Sequence, residues 1–238
     1  MSDKLASNPT DHAVALAKAA LGMVPIAGPF LAELAGTVIP RQRADRLADF
    51  ARALADDMQK LRAEVLQSKL EDEHFTDLLE EGTREALSAV SPERRHYIAS
   101  LISNGLTEDR VTYVESKHLL RLLSQLNDIE IIWLRFYDYP MLAGDEEFRE
   151  RHAAILRPVQ ATLASGPDEI DKQALQQNYV EHLVSLGLLA RPLFVDPKTR
   201  QPIYDPMARS WKTEGRRTTP LGKLLLRQIG HSAPETAA

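Results

Sequence analysis

The most regular alternation of hydrophobic and polar positions runs from residue 41 to residue 69. Apolar residues recur there at intervals of three and four, at Leu47, Ala51, Leu54, Met58, Leu61 and Val65. This spacing predicts a long helix with a single apolar seam. The seam covers fewer than three heptads and includes an alanine, so it favours a helix packed inside a bundle. Self-association through helix 41–69, as a dimerising coiled coil, remains the alternative.

A second pattern precedes this helix, in the uncharged run AALGMVPIAGPFLA at residues 19–32. Glycines and prolines interrupt the run, and its pieces are shorter than the roughly 20 residues that a membrane-spanning helix needs. We predict a buried apolar helical hairpin over 13–39. The alternative is a segment that contacts a membrane or a partner only under certain conditions. Its candidate contact residues are Val24, Pro25, Ile26, Phe30 and Leu31.

Further helical spacing follows the long helix. The apolar residues near helical spacing are Phe75, Leu78, Leu79, Ala86, Leu87 and Val90. The acidic run EDEHF at residues 71–75 suits a helix N-terminus. Ser91 and Pro92 have the residue types of a helix start, and Asn104–Gly105 those of a helix end. Another helix is predicted over 111–126, with Val114 and five leucines on one broad face. Residues 10–125 are therefore predicted to form a helical bundle.

The second half changes character. Helices are predicted over 128–140, with Asp128 as cap, over 145–156, and over 171–186, where Leu175, Tyr179, Leu183 and Leu186 are spaced as on one face. The short β-like runs PLFV and PIY follow, joined by a polar turn, and a last helix begins at Thr219–Pro220. The expected fold class is mainly α, with a helical bundle followed by a small α+β module.

This order of helices and short strands resembles the winged-helix pattern over residues 126–230, with 231–238 as a flexible tail. The resemblance places helix 171–186 at the recognition-helix position. The candidate nucleic-acid contacts are Lys172, Gln173, Gln176 and Gln177, joined by Arg216 and Arg217. Glutamine can read base edges and arginine can meet phosphates. The helix also carries Asp171 and Glu181, which would repel phosphates. We therefore slightly favour a winged-helix-shaped scaffold with a solvated polar face over a DNA-binding domain.

Charge divides the chain in the same way. Residues 1–168 contain 19 Lys and Arg against 27 Asp and Glu, whereas residues 169–230 contain 10 against 6. The net charge of −5 argues against a protein that binds nucleic acid by charge over its whole surface. Cysteine is absent, and the polar start MSDKLASNPTDH lacks the order of a secretory signal, so we expect a cytoplasmic protein.

No catalytic signature is present in the sequence. It contains no HExxH pair, no phosphate-binding glycine loop and no GxSxG turn. We therefore predict a protein that is not an enzyme and uses no cofactor or metal.

The layout as a whole resembles the bacterial abortive-infection alpha family. The segments that carry the resemblance are the apolar N-terminal corner, the long charged helix, YIASLISNGL, LLRLLSQLNDIEIIWL, HLVSLGLL and TTPLGKLLL. The resemblance implies antiviral defence, that is, phage resistance by abortive infection, and it supplies no catalytic residues. The expected function is phage defence by binding. The alternatives are a winged-helix DNA-binding regulator and a membrane-active effector that uses segment 13–39.

Overall fold

A computed structural model of the chain describes residues 41–58, 72–107, 111–139, 145–162, 164–207 and 209–231. The expected fold class is confirmed: the protein is mainly α, with a few short antiparallel strands confined to its C-terminal region. The chain divides into two compact units. The first contains residues 1–125 with Gln228–Gly230, and the second contains residues 126–227 with 231–238.

Four helices make up the described part of the first unit. They are α1 (Arg41–Met58), α2 (Glu73–Ser88), α3 (Pro92–Thr107) and α4 (Tyr113–Gln125). Helix α1 packs mainly against α3 and also against α2, and α4 packs against α2 and α3. The four helices thus form a small bundle.

The apolar seam of α1 is buried, as its spacing predicts. Leu47, Ala51, Leu54 and Met58 are all at most 5% exposed. Phe50 is fully buried as well, although it lies outside the seam. A helix that is buried on more than one face is typical of a bundle interior. The predicted continuation of the seam at Leu61 and Val65 lies outside the described residues.

Side chains begin two of these helices as expected. Oδ1 of Asp72, within the acidic run, accepts the backbone NH of His74 at 3.0 Å. Oγ of Ser91 accepts the backbone NH of Arg94 at 3.1 Å. Each bond satisfies a backbone donor that has no partner inside its helix.

Three expectations for this unit are wrong. Val90, expected at helical spacing with the apolar residues of α2, lies beyond the end of that helix at Ser88 and is 78% exposed. Helix α3 does not end at Asn104–Gly105 but continues to Thr107. Gly105 instead packs closely against Leu78 and Ser116. The side-chain amide of Asn104 donates a hydrogen bond to the carbonyl of Gln228 at 2.9 Å. The apolar face predicted for α4 does not include Val114, which is 72% exposed.

The second unit contains five described helices and four two-residue strands. The helices are α5 (Asp128–Asp138), α6 (Glu146–Arg151), α7 (Ala153–Leu156), α8 (Pro167–Ser185) and α9 (Pro220–Gln228), of which the last residue groups with the first unit. The strands are β1 (Leu189–Ala190), β2 (Tyr204–Asp205), β3 (Ser210–Trp211) and β4 (Arg217–Thr218). Strand β1 pairs antiparallel with β4, and β2 pairs antiparallel with β3.

Several helix boundaries in this unit differ from the expectation. The cap of α5 is Asn127 rather than Asp128, because Asn127 and Glu130 form a reciprocal capping box. The predicted helix 145–156 is divided at His152 into α6 and α7. Helix α8 begins at Pro167, directly after the Ser165–Gly166 break, and so before residue 171, the first residue expected at the recognition-helix position. Leu175 is 54% exposed and does not belong to the buried face of α8.

Candidate functional site

The segment between β1 and β4, residues 191–216 and here called the arm, exposes several large hydrophobic side chains. Three extended stretches of the arm pair with one another. Leu193 lies opposite Thr213, Val195 opposite Pro202, and Tyr204 opposite Trp211. Backbone hydrogen bonds close the arrangement, from Phe194 to Lys212 (2.8 Å), from Lys212 to Ile203 (2.9 Å) and from Ile203 to Phe194 (3.0 Å).

These pairs place an apolar surface on one side of the arm. Residues paired directly across antiparallel strands lie on the same face, and so do residues two apart along an extended stretch. The resulting face, here called the apolar face, contains Leu193, Val195, Pro202, Tyr204 and Trp211. Tyr204 and Trp211 meet edge to face, with ring centroids 5.3 Å apart, and are 48% and 51% exposed. Half of each aromatic side chain is therefore available to a ligand.

Two loops of related sequence connect the stretches. Both have the pattern Asp-Pro-x-x-Arg, at residues 196–200 and 205–209. Oδ1 of Asp196 accepts the backbone NH of Lys198 (2.7 Å), and Oδ1 of Asp205 accepts that of Met207 (3.0 Å). These are Asx-turns, in which the carboxylate takes the place of a backbone acceptor.

Each loop also contains an arginine in the left-handed backbone region. The φ angles are 56° at Arg200 and 50° at Arg209. A residue with a Cβ costs about 1 kcal/mol in this conformation, and glycine is the usual occupant. Both loops thus keep a cationic side chain at a position where the backbone favours glycine.

The arm is basic, with six Lys and Arg against three Asp and Glu. Its cations fall into two groups. Arg191 and Arg216 both pair with Glu181 of α8. Lys198, Arg200, Arg209 and Lys212 are exposed and form no ion pair with any described residue. The arm therefore carries positive charge that is not neutralised by any ion pair within the described residues.

The nucleic-acid contacts expected on α8 lie in two different environments. Lys172 and Gln177 are exposed. Oε1 of Gln173 accepts the backbone NH of Ala161 at 3.0 Å, and Oε1 of Gln176 accepts that of Val159 at 3.1 Å. Both glutamines thus hold the segment before α8 against the helix. A base edge would have to compete with these bonds.

The two arginines expected to meet phosphates are engaged by nearby carboxylates. Arg216 is 3.2 Å from Glu181, and Arg217 pairs with Glu214. The first turn of α8 carries Asp168 and Glu169, which suit a helix N-terminus but repel an approaching phosphate. The basic surface of this unit is therefore on the arm rather than on α8.

A polar cluster joins α2 and α4 in the first unit. Lys117 Nζ lies 2.5 Å from Asp77 Oδ2 and 2.8 Å from Glu81 Oε2, and the Tyr113 hydroxyl donates to Asp77. The hydrogen bond from Lys117 lowers the pKa of Asp77, with Tyr113 adding to the effect, and the same carboxylate raises the pKa of Tyr113.

This cluster is suited to joining helices rather than to acid–base chemistry. Its two carboxylates raise the pKa of Lys117, so that amine stays protonated, and a phenol with a raised pKa is a poor base near neutral pH. A cavity of about 230 Å³ adjoins Tyr113, with His74, Thr112 and Ser116 among its lining residues. Small-molecule sites are typically about 300–1,000 Å³.

The expected membrane or partner segment, with Val24, Pro25, Ile26, Phe30 and Leu31, lies outside the described residues. Among the helices of the described ranges, none combines the length and the apolarity needed to cross a bilayer. Within the described residues, no three His, Asp or Glu side chains lie close enough together to hold a metal ion.

Compared with protein-family models, curated proteins and solved structures, the chain matches none of them.

Proposed function

We propose that this protein acts by binding, and that the arm of its second unit is the binding surface. The observation that supports this proposal is the apolar face, where Tyr204 and Trp211 are half exposed beside cations that have no carboxylate partner among the described residues. Exposed aromatic side chains bordered by arginine and lysine are typical of surfaces that bind other molecules.

The cellular role we propose is phage defence of the abortive-infection type, in the cytoplasm. The support for that role is the resemblance of the segment order, from the apolar corner to the TTPLGKLLL helix, to that of the abortive-infection alpha family. A chain without cysteine suits a reducing compartment. In this proposal the arm recognises a molecule that infection produces or exposes.

A base-reading regulator is a weaker candidate for the same unit. Gln173 and Gln176 would have to release backbone partners before reading a base, and the start of α8 is acidic. Binding through the arm would break neither of these glutamine hydrogen bonds and would not bring phosphates to the acidic start of α8. We therefore favour the arm over α8 as the place where a partner is met.

Phage challenge of bacteria that express the full chain tests this proposal. The wild-type chain is compared with the Tyr204→Ala, Trp211→Ala double variant and with Glu150→Ala, which changes an exposed residue of α6. We expect the wild type and Glu150→Ala to reduce plaque formation, and the double variant at equal protein level to lose this effect. Full protection by the double variant would contradict a role for the arm, and a wild type without protection against a broad phage panel would contradict the defence role.

A further inference from the structure

We infer that the arm binds single-stranded nucleic acid, with bases stacked on Tyr204 and Trp211 and phosphates held by Arg200 and Arg209. This inference deepens the proposed function and rests on the arm as its binding surface. It names the class of ligand, which neither the segment order nor the fold supplies.

The first observation that supports the inference is the aromatic pair on β2 and β3. Tyr204 and Trp211 lie directly opposite each other on β2 and β3, and their edge-to-face contact fixes both rings. About half of each side chain remains exposed, within a face that also contains Leu193 and Val195, each 40% exposed. Every base has a flat π-face, so rigid exposed aromatic rings can stack unpaired bases without regard to sequence.

The charge of the arm provides the second step. Lys198, Arg200, Arg209 and Lys212 are exposed, and they make no ion pair within the described ranges of the chain. Residues 1–168 are acidic, with a net charge of −8. A polyanion is therefore attracted to the arm and repelled by that part of the chain, so the charge favours both this class of ligand and the arm as the place where it binds.

The third observation is the backbone conformation of the two loops. Arg200 and Arg209 occupy equivalent positions of the two Asp-Pro-x-x-Arg loops, and both have a positive φ. Glycine would adopt this conformation at a lower energetic cost, yet both loops carry arginine. The two side chains are exposed and make no ion pair among the described residues, so both guanidinium groups can meet a phosphate.

The combination favours single strands over duplexes. A duplex presents phosphates but stacks its bases internally, so it would use the cations and leave the apolar face without a contact. A protein partner would use the apolar face but would need acidic groups placed opposite both arginines. A single strand supplies unstacked bases and regularly spaced phosphates together.

Anisotropy titrations with labelled oligonucleotides test this inference on the full chain. The probes are a mixed-sequence single-stranded DNA, an RNA of the same sequence and the corresponding DNA duplex, each measured at several salt concentrations. We expect a single strand to bind more tightly than the duplex. Tyr204→Ala or Trp211→Ala should weaken that binding by about 5- to 150-fold, the range for loss of one stacked base.

The Arg200→Gly, Arg209→Gly double variant separates binding from folding. Glycine suits the backbone at both positions, so the arm should stay folded while two phosphate contacts are lost. The plot of log affinity against log salt concentration should become shallower by about 1.4 for a single strand. Lys172→Ala, on the exposed surface of α8, is the matched control and should leave this slope unchanged.

Tryptophan emission adds a direct readout, because the chain has two tryptophans and only Trp211 is exposed, Trp133 being 5% exposed. Stacking should quench the emission of Trp211, and a Trp211→Phe variant should lose the quenching. Equal or tighter binding of the duplex without quenching would overturn the inference. The absence of binding to either single strand at low salt would also overturn the inference. In that case, if the Tyr204→Ala, Trp211→Ala double variant still loses phage protection, the proposed function is kept while the ligand class is rejected.

Discussion

Nδ1 of His182 lies 2.7 Å from Oε1 of Glu130, a carboxylate only 4% exposed. Oε2 of the same carboxylate accepts the backbone NH of Asn127 at 2.8 Å, which closes the capping box of α5. One buried side chain thus begins α5 and joins it to α8. Helix α8 is therefore held by the same residue that closes the capping box of α5.

We expect Glu130→Ala to destabilise the second unit by about 1–3 kcal/mol. The change removes the reciprocal cap and leaves buried polar groups without a partner. Both tryptophans belong to this unit, so urea unfolding followed by tryptophan emission measures the effect. Glu150→Ala, at an exposed position of α6, is the control and should leave the midpoint unchanged. Equal midpoints for both variants would show that the Glu130 contacts contribute nothing.

The helices could be predicted because their signals are local. The three- and four-residue spacing identified the buried positions Leu47, Leu54 and Met58 of α1, and residue types identified the starts at Ser91 and Thr219. The same rules failed at Asn104–Gly105. There the small side chain of Gly105 serves close packing against Leu78 rather than a helix end, and only the folded neighbours reveal this.

The arm could be predicted only in outline. The PLFV and PIY runs indicated extended chain, but Leu193 and Val195 form isolated bridges and the paired strand β2 begins at Tyr204. Register in such short strands depends on turns and on cross-strand contacts, which the residue pattern does not specify. One available signal was missed, the repeated Asp-Pro-x-x-Arg spaced nine residues apart, which marks both loops.

Gly222 provides a second test of packing. A Cβ at this position would lie 2.4 Å from the carbonyl oxygen of Leu188 and 2.8 Å from Cγ2 of Thr218. We expect Gly222→Ala to destabilise the second unit by about 1–3 kcal/mol despite the higher helix propensity of alanine, because backbone atoms must move apart. The urea midpoint measured by tryptophan emission should fall.

Gly166→Ala is the matched control for this substitution. Gly166 precedes α8 with φ −72°, and a Cβ there would have no other atom within 4 Å. Gly166 is the N-cap of α8, where alanine is a poorer cap than glycine, but alanine also restricts the unfolded chain, so the midpoint should fall much less than that of Gly222→Ala. A similar loss of stability in both variants would mean that the short distance to Leu188 does not determine the result.

His231 makes the stability of the second unit depend on pH. Burial lowers its pKa, the positive charges of Arg135 and His152 add to the effect, and together they bring it from an ordinary 6.5 to about 4. Between these values the unfolded chain binds more protons than the folded chain, so stability rises as pH increases from about 4 to 6.5. The contribution of this one group is about 3 kcal/mol over that interval.

Urea unfolding at a series of pH values checks this expectation. His231→Asn should flatten the pH dependence in that interval, whereas His118→Asn, at an exposed position of α4, should preserve it. A wild-type profile that matches the His231→Asn profile would contradict the assignment.

The polar cluster of the first unit predicts an effect in alkali. The carboxylate of Asp77 accepts the Tyr113 hydroxyl and raises the pKa of that phenol, while Lys117 acts in the opposite direction. Asp77→Asn should therefore shift the ionisation of Tyr113 to lower pH, because the anion that disfavours phenolate is gone and Lys117 remains. A pH titration of phenolate absorbance measures the shift, with a Tyr113→Phe variant to identify the signal of this residue. Glu73→Gln, which changes an exposed acid on the same helix, should leave the titration unchanged.

The stability of the first unit at acid pH gives an independent check. Asp77 has a lowered pKa, so its contribution to stability is present above the ordinary value of 3.8 and is lost as pH falls through the folded-state pKa. If Asp77→Asn changes neither the phenol titration nor the acid unfolding of the first unit, the contact between α2 and α4 does not exist in solution.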